Sequence, residues 1–488
     1  MKTMTSPLIG SMRASRSRTA NGCVTHPTSG SFLVDFFFEC GAMRNRSDND
    51  IINSFKNAFD EDRINAIKIL FWARDIRQGL GERKLFRTLI NYIANNDPDS
   101  LRDNIQLIPE YGRWDDLLSL FGTNLEDDAL DLISENLSKD GGTNPLCAKW
   151  MPREKSARRV LATKIRKKMG LSSKEYRVLL SSATSVVENK MCDNERESIS
   201  YDKVPSVAMK NYTKAFLRHS PSKFRTYIED VTSGKTKINS STLYPHQIVS
   251  DMINERSYVS ESHDMDKVRS EQWKALPNWL ISNPYRILPI VDTSGSMFSQ
   301  YSANSVRPID VSVSLGLYIA ERNNGPFKDH FITFSESPSI QVVSGESLRD
   351  RVRSVSSADW GYSTNLEAVF DLILQSAKQD NILEEDMPNV ILVLSDMEFN
   401  SCNNNYNSDA ISSIKKSYSD FGYNMPNVIF WNLNASGGNF PVKFDDNGTA
   451  LISGFSPSIL KQVLSSGKIS PRDIMIEVVE SGRYSQIK

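Results

Sequence analysis

Residues 289–298 read PIVDTSGSMF, an apolar run that ends in an aspartate and then carries hydroxyls at alternate positions. Asp292 is followed by Ser294 and Ser296, with Gly295 between the two serines. Such an apolar run is typical of a buried β-strand, and glycine lets the backbone turn directly after it. Helix capping, catalysis and metal binding all use such side chains, so the rest of the chain has to decide among them.

Apolar strands alternate with amphipathic helices from about residue 280 onward. The predicted strands read RILPIV, HFITFS, SIQVV, NVILVLS and NVIFWNLN, and GTALISG with SPSILKQVLSSG closes the series. This alternation predicts a doubly wound, Rossmann-like α/β domain with a parallel sheet, which we assign to residues 276–488. Functional residues of such sheets gather at the carboxyl ends of the strands.

Two further strand ends of this domain carry oxygen-bearing side chains. Residues 361–365 read GYSTN, with Thr364 before a predicted helix, and residues 394–398 read LSDME, with Asp396 after the most hydrophobic strand. Together with Asp292, Ser294 and Ser296 they form an all-oxygen set, which suits a hard cation such as Mg²⁺. Taken singly, each group could instead cap a helix or close a turn. Glu398 is expected to be solvated or to contribute indirectly.

These motifs resemble the metal-ion-dependent adhesion site (MIDAS) of von Willebrand factor type A (vWA) domains. The resemblance rests on DTSGS at residues 292–296, the distant Thr364, and Asp396 after a hydrophobic strand. It implies direct coordination of Mg²⁺ or another divalent cation by Ser294, Ser296 and Thr364, and coordination mostly through water by Asp292 and Asp396. It also implies an open coordination position for an acidic group of a protein partner.

The preceding part of the chain has the pattern of one short amphipathic helix after another. Apolar residues recur at helical spacing from about residue 50, and Gly, Pro, Asp or Asn separates the segments. We assign an α-helical repeat domain, HEAT-like in type, to residues 23–275, although no clean sequence period is visible. The acid-free residues 1–22 are expected to be a disordered basic arm, and an organellar transit peptide has a similar composition.

A local excess of positive charge lies between residues 153 and 177 of this helical part. A cluster of this kind attracts phosphates, although charge runs are more often solvated helix faces. The candidate RNA-binding residues are Arg153, Lys155, Arg158, Arg159, Lys164, Arg166, Lys167 and Lys168. Basic residues between 201 and 227 alternate with aromatic ones, and we assign most of those aromatics to the core.

Four segments of the helical part resemble the helical-repeat (TROVE-like) module of Ro-type proteins. They are residues 29–44, 68–90, 107–120 and 201–216. The likeness is greatest to uncharacterised Ro-like relatives in which this module precedes a vWA domain. It implies a ribonucleoprotein component that binds small noncoding or structured RNA. Within the segment 74–83, we expect Asp75, Arg77 and Arg83 to form ion pairs between helices, and a phosphate contact is the alternative.

Composition excludes several other classes of protein. The net charge is -1, and no run approaches the roughly 20 apolar residues of a membrane span. The five cysteines are scattered without a CxxC pair, which favours free thiols and a cytoplasmic location. No Walker A, GxSxG or HExxH motif occurs, and Ser294 has no identifiable base, so we expect no enzyme.

We expect a monomer. A metal-dependent protein-interaction scaffold is the alternative to RNA binding.

Overall fold

The chain folds into two units, and neither of them is a continuous stretch of sequence. An α/β unit contains residues up to Asn45 together with Leu243–Glu480, and a helical unit contains Arg46–Thr242 together with Ser481–Lys488. This division differs from the expected ranges 23–275 and 276–488 at both ends of the chain, and also at the boundary between them, which lies at Leu243 and not at residue 276. The difference at the ends arises because residues near each terminus hydrogen-bond to elements that lie hundreds of positions away.

The computed structural model describes most of the chain. The described residues are 17–138, 142–184, 186–192, 195–254, 263–281, 284–300, 305–334, 337–358, 364–400, 410–434, 438–465 and 469–488. Expectations for residues 1–16 of the basic arm and for residues 361–363 lie outside these ranges.

The α/β unit is organised around a mixed six-stranded sheet. Its strands are β3 (Ile287–Val291), β4 (His330–Thr333), β5 (Ile340–Val342), β6 (Val390–Ser395), β7 (Asn427–Asn432) and β8 (Thr449–Ser453), and a short hairpin of β1 (Ser17–Arg18) and β2 (Val24–Thr25) precedes them. The strand order is β5-β4-β3-β6-β7-β8. Only β5 runs antiparallel to its neighbour, so the helical part plus α/β sheet expected from the pattern is confirmed.

Strands β3 and β6 form the middle of the sheet and are buried along their whole length. They pair in parallel from Ile287 opposite Val390 to Val291 opposite Leu394. The chain moves from β3 toward β4 on one side, and from β6 toward β8 on the other. The strand order therefore reverses between β3 and β6, and a crevice opens at the carboxyl ends of strands at such a point.

The α/β unit takes one helix from the N-terminal segment and its other helices from the part of the chain after Leu243. They are α1 (Phe32–Glu39), α14 (Pro245–Asn254), α15 (His263–Lys274), α16 (Pro308–Arg322), α17 (Leu348–Ser356), α18 (Leu366–Gln379), α19 (Ala410–Asp420), α20 (Ile459–Ser465) and α21 (Pro471–Val479). Helix α16 is buried from Pro308 to Ala320 and packs on β3 and β6. A Cβ at Gly316 would lie 2.4 Å from Val291 Cγ2, so glycine permits this close approach.

The first described residues belong to the α/β unit. Residues 17–22, expected as the end of a disordered arm, form β1 and the turn after it. Gly22 bridges to Asn400, and His26 exchanges backbone hydrogen bonds of 2.9 and 3.0 Å with Phe440. Thr25 is buried, and α1 packs against β8. The expectation of disorder was wrong for these residues because their backbone groups pair with distant segments.

The helical unit consists of α-helices joined by short 3-10 turns. The helices are α2 (Asp48–Glu61), α3 (Arg63–Arg74), α4 (Arg83–Asn96), α5 (Pro98–Arg102), α6 (Ile108–Tyr111), α7 (Glu126–Leu137), α8 (Pro145–Trp150), α9 (Arg159–Lys168), α10 (Ser173–Ser182), α11 (Val187–Cys192), α12 (Ser206–His219) and α13 (Pro221–Thr232). Ser47 and Asp50 form a capping box at α2, and Ser172 and Glu175 form one at α10. Within the described ranges, no helix is long and apolar enough to cross a membrane.

Candidate metal centre and basic surface

Asp292 lies at the point where the strand order reverses, directly after β3. Its backbone N–H donates to Leu394 O at 3.0 Å, and its side chain is fully buried. One carboxylate oxygen accepts from Ser294 N at 2.9 Å and the other from Ser395 Oγ at 2.5 Å. Among the described residues, no Lys or Arg pairs with it. Burial raises the pKa of Asp292, and the hydrogen bonds from Ser395 and Ser294 oppose this rise.

Asp396 follows the neighbouring strand β6 and faces the same crevice. It is 4% exposed and accepts from Glu398 N at 3.3 Å. Burial and the nearby charge of Asp292 raise the pKa of Asp396 to about 7, while a hydrogen bond from Ser296 opposes the rise. Two buried carboxyl groups that repel each other, with no cation paired to them in the described part of the chain, are destabilised as anions.

The two serines of the first loop adjoin this carboxyl pair. Ser294 Oγ lies 3.1 Å from Ser296 Oγ, and Gly295–Phe298 form a 3-10 turn that holds this spacing. Thr293 Oγ1, in the same loop, is buried and has no hydrogen-bond partner among the described residues. The structure therefore places Asp292, Ser294, Ser296 and Asp396 close to one another.

Thr364 contacts the loop that follows β6 and contains Asp396. Its Oγ1 donates to Glu398 O at 2.7 Å and lies 3.1 Å from Asn400 Oδ1. Donation uses the hydroxyl hydrogen and leaves a lone pair of the oxygen free for a cation. Helix capping does not explain this residue, because Asn365 is the residue whose side chain caps α18, accepting from Ala368 N at 3.1 Å.

The donor set fits a hard divalent cation better than a soft one. It consists of two carboxyl groups and three hydroxyls, all of them oxygen. Within the described ranges no cluster of three or more His, Cys, Asp or Glu side chains could hold a metal ion, so any ion here would depend on the hydroxyls. A divalent charge would offset the repulsion between Asp292 and Asp396.

The N-terminal segment supports the loop that follows β6, and no sequence pattern predicts this contact. Ala20 N and Asn439 Nδ2 donate to the Glu398 carboxylate at 2.7 and 3.1 Å, and Asn21 Nδ2 donates to Glu398 O at 2.7 Å. Thr19 Oγ1 donates to Phe399 O at 2.5 Å. Met397, between the two acids, has a φ of 66°. Glu398 is therefore not simply solvated, since it ties β1 and its turn to this loop.

The basic segment of the helical unit is partly neutralised by nearby acids. Lys164 pairs with Glu126 at 2.5 Å, Arg166 with Glu154 at 2.8 Å, and Lys168 with Asp131 at 2.6 Å. Arg158 Nη1 lies 3.9 Å from Asp115 Oδ2. The sequence could not predict these pairs because most of the acids come from other elements, α7 above all.

The remaining cations of this segment differ from one another. Arg153 donates to Leu180 O at 3.4 Å, and burial lowers its pKa. Lys155, Arg159 and Lys167 are exposed and have no carboxylate partner among the described residues. These three side chains, which we call the basic face, are the exposed cations of the candidate RNA-binding set whose charged groups have neither a carboxylate nor a carbonyl partner among the described residues.

The aromatic residues between 201 and 227 mostly belong to the core, as expected. Tyr201, Phe216, Phe224 and Tyr227 are buried. Tyr201 lies 4.9 to 5.4 Å from the other three rings, centroid to centroid. These rings pack on one another and are not available for stacking on bases.

A network of arginines and aspartates joins α3, α4 and the turn at 112–116. Asp116 is fully buried and accepts from Arg74 Nε at 2.8 Å and Arg87 Nε at 2.6 Å. Asp115 accepts from Arg113 at 2.7 and 2.9 Å. A Cβ at Gly112 would lie 2.4 Å from Asp116 Oδ2, so glycine is needed at this turn.

The expected ion pairs of the segment 74–83 are only partly found. Asp75 pairs with Arg483 from the end of the chain, and Arg77 Nη1 donates to Glu110 O at 2.5 Å. Arg83 pairs with no acid among the described residues. Burial and the charges of Arg113, Arg87 and Arg74 lower the pKa of Arg83.

Comparison with known proteins gives two family matches and one close relative. The domain of unknown function DUF2828 matches residues 19–140 and 130–282, and the domain of unknown function DUF7788 matches residues 286–487. The chain is 31% identical to uncharacterized protein L728 of Acanthamoeba polyphaga mimivirus, over 96% of this chain and 88% of that protein.

A solved structure, that of the Ro (RSR) protein of Deinococcus radiodurans, is also similar. The likeness has a TM-score of 0.42 and 11% identity, and it covers 92% of this chain and 93% of that one. A TM-score of this size does not establish a shared fold, and no function is transferred on it.

Proposed function

The chain belongs to the family defined by the domain of unknown function DUF2828, and we propose that it is a non-enzymatic RNA-binding protein whose helical unit contacts the RNA. The observation that carries this proposal is the basic face. Lys155, Arg159 and Lys167 are exposed and uncompensated, whereas the acids nearby are used by their neighbours.

Phosphates are the ligand that such a surface favours. The chain as a whole has a net charge of -1, so an uncompensated positive face is a local feature and not a consequence of composition. Neutralising phosphates releases counterions, which makes such binding strong at low salt and independent of base sequence. RNA is proposed as the polyanion because three segments of the helical unit, together with residues 29–44 of the α/β unit, resemble Ro-type proteins.

Charge reversal on the basic face tests this function. We expect a double variant, Arg159→Glu with Lys167→Glu, to bind a labelled structured RNA more weakly, and the slope of log K against log salt to fall by about two. The matched control is Lys56→Glu with Lys237→Glu, which changes the charge equally at exposed lysines elsewhere in the helical unit. Absence of RNA binding by the wild-type protein at low salt, or equal weakening by the control, would overturn the proposal.

A second function is favoured by the carboxyl pair at the sheet. Asp292 and Asp396 are buried and unpaired with any cation among the described residues, and a divalent ion would compensate them. In this proposal Ser294, Ser296 and Thr364 hold Mg²⁺ directly, and Asp292 and Asp396 hold it mostly through water. The ion then supplies a Lewis-acidic position for an Asp or Glu of a protein partner, so the chain acts as an interaction scaffold.

Magnesium dependence separates this second function from the first. A partner captured through the ion should be released by EDTA and should not bind an Asp292→Ala variant. RNA binding by the helical unit should persist under both conditions. A partner that stays bound in EDTA would contradict metal-dependent capture.

A further inference from the structure

A cavity of 320 Å³ in the helical unit has a lysine-rich wall that neither function above uses. We propose that this cavity binds one nucleoside monophosphate group, either as a free nucleotide or as one nucleotide of an RNA. The proposal deepens RNA binding by naming a separate contact, and it rests on that function only where the nucleotide is part of RNA.

The positive charge of the cavity comes from three elements. Lys149 belongs to α8, Lys190 to α11, and Lys203 to the 3-10 turn Tyr201–Lys203. Lys149 Nζ lies 3.8 Å from Glu188 Oε1, and Lys190 Nζ donates to Ser198 O at 3.2 Å. The ammonium group of Lys203 has no partner in the described part of the chain.

The acids near the cavity do not cancel this charge. Glu188 is the acidic residue in the lining. Asp202, next to Lys203 in sequence, is not part of the lining and accepts from the Ser200 hydroxyl at 2.5 Å. Three ammonium groups against one lining carboxylate favour an anion, and a phosphate group offers enough oxygens to accept from several lysines at once.

An unused acceptor in the lining calls for a hydrogen-bond donor on the same ligand. Tyr212 hydroxyl lies 3.3 Å from Glu188 Oε1, but Glu188 Oε2 is buried and has no hydrogen-bond partner among the described residues. A buried acceptor without a donor is costly. Ribose hydroxyls and base amino groups are donors of this kind.

The rest of the wall is apolar. Val187, Ile199 and Val204 line it, together with Ala208 of α12. A cavity of this volume lies at the lower end of the range for small-ligand sites, and apolar walls with a few polar groups are typical of them. A phosphate, a hydrogen-bond donor and a planar apolar ring together describe a nucleotide.

Titration calorimetry with AMP and UMP, and with inorganic phosphate as a fragment, tests the cavity. We expect both nucleotides to bind more tightly than phosphate alone, because phosphate lacks the apolar part. Lys203→Glu should weaken nucleotide binding about tenfold or more, since it replaces a charge-assisted hydrogen bond by repulsion. Lys203→Arg should retain binding, and Lys56→Glu, a reversal at an exposed lysine of α2, should leave it unchanged.

A second variant tests whether the ligand occupies the cavity volume, without changing the charge of the cavity wall. Ala208→Leu adds a side chain that the cavity has room for and that helices accept, so the fold should persist while nucleotide binding is lost. The proposal is overturned if the wild-type protein binds neither nucleotide at millimolar concentration. It is also overturned if binding survives both Lys203→Glu and Ala208→Leu.

Competition with RNA distinguishes the source of the nucleotide and keeps the two proposals apart. If AMP or UMP displaces a labelled RNA and Ala208→Leu weakens RNA binding, the cavity holds a nucleotide of the RNA. If nucleotides bind without displacing RNA, the cavity serves a free nucleotide. If the protein binds nucleotides but no RNA, the proposed RNA-binding function is overturned and the proposed nucleotide site stands. If it binds RNA but no nucleotide, the nucleotide site is overturned and the RNA-binding function stands.

Discussion

Arg483 and Asp75 form an ion pair between residues that lie 408 positions apart in the chain. Arg483 Nη2 donates to Asp75 Oδ1 at 2.8 Å, and its Nε donates to the other carboxylate oxygen. Asp75 is fully buried and also accepts from Tyr484 hydroxyl at 3.1 Å. The ring of Tyr484 stacks on Tyr111 at 5.6 Å, so the last residues of the chain are a structural part of the helical unit.

Arg483→Ala should destabilise the helical unit strongly. It leaves the Asp75 carboxylate buried without its cation, and breaking such a pair costs about 3 kcal/mol or more. Urea denaturation followed by far-UV circular dichroism measures the loss. Combining Arg483→Ala with Asp75→Asn should recover part of it, because the buried charge is then absent.

The control for this prediction is an exposed ion pair of the same unit. Arg63→Ala removes the partner of Asp97, with side chains 51% and 35% exposed, and should cost less than about 1 kcal/mol. Equal effects of Arg483→Ala and Arg63→Ala would show that burial of Asp75 does not govern the stability of this contact.

Asp292→Asn should abolish thermal stabilisation by Mg²⁺. We expect Mg²⁺ to raise the melting temperature of the wild-type protein, since a ligand that binds only the folded state stabilises it. In EDTA the variant should be as stable as the wild type or more so, because it relieves the repulsion with Asp396. The effect of Mg²⁺ should grow as pH rises through about 7, where the proton on Asp396 is lost and no longer competes with the ion.

Asp371→Asn is the matched control for the magnesium experiment. Asp371 lies on α18 and is only partly withdrawn from solvent; this partial burial and the nearby charge of Glu367 raise its pKa. Differential scanning fluorimetry with Mg²⁺ or EDTA should give the same shift for this variant as for the wild type. Retention of the shift by Asp292→Asn would contradict a metal centre at the reversal point.

Asp35→Asn should remove a pH dependence from the stability of the α/β unit. Burial raises the pKa of Asp35 to about 6 from 3.8, against hydrogen bonds from Ser29 and Thr28. A raised carboxyl pKa means that stability is lost as pH rises from about 4 to about 6. As pH rises between those limits, the variant should gain on the order of 3 kcal/mol of unfolding free energy relative to the wild type.

Urea denaturation at several pH values measures this difference. Asp50→Asn provides a contrast of opposite sign, because hydrogen bonding to Ser47 lowers the pKa of Asp50. That variant should lose relative stability as pH rises toward the ordinary aspartate pKa of 3.8, and an Asp35→Asn variant that lost relative stability between about pH 4 and about pH 6 would contradict the assignment.

Arg83→Gln should stabilise the helical unit slightly. The charges of Arg113, Arg87 and Arg74 act on Arg83 in the same direction as its burial, and no carboxylate pairs with it among the described residues. Arg83 is partly desolvated but keeps part of its surface in solvent, which screens this repulsion, so the gain should stay below about 1 kcal/mol. Thermal denaturation measures it. A clear loss of stability would show that Arg83 makes a favourable contact.

Local patterns in the sequence predicted most of the α/β sheet. Strand β6 appears as an uninterrupted apolar run, and α16 as an apolar helix opened by proline, so periodicity and capping were sufficient. The loops that follow β3 and β6 were predicted to meet because parallel neighbours end at one edge of a sheet. Asp292 and Asp396 do lie together there.

What the sequence did not predict depends on contacts between distant residues. Nothing in the hairpin of β1 and β2 signals that Ala20 N will donate to Glu398, 378 positions later. Likewise, Lys164 and Lys168 count as free charges in the sequence but pair with Glu126 and Asp131. Periodicity reports local structure, whereas these pairings are decided by packing.

The interleaving of the two units imposes an order on synthesis. The first segment, which includes Ala20, is synthesised long before strands β6 and β8, to whose part of the α/β unit it hydrogen-bonds. The helical residues up to Thr242 emerge next, but Arg483 and Tyr484 leave the ribosome only after the whole α/β unit. Asp75 is therefore synthesised long before its cationic partner Arg483. The contact at Asp75 can therefore form only after Arg483 has been synthesised, and a chain that stops before Arg483 cannot form it.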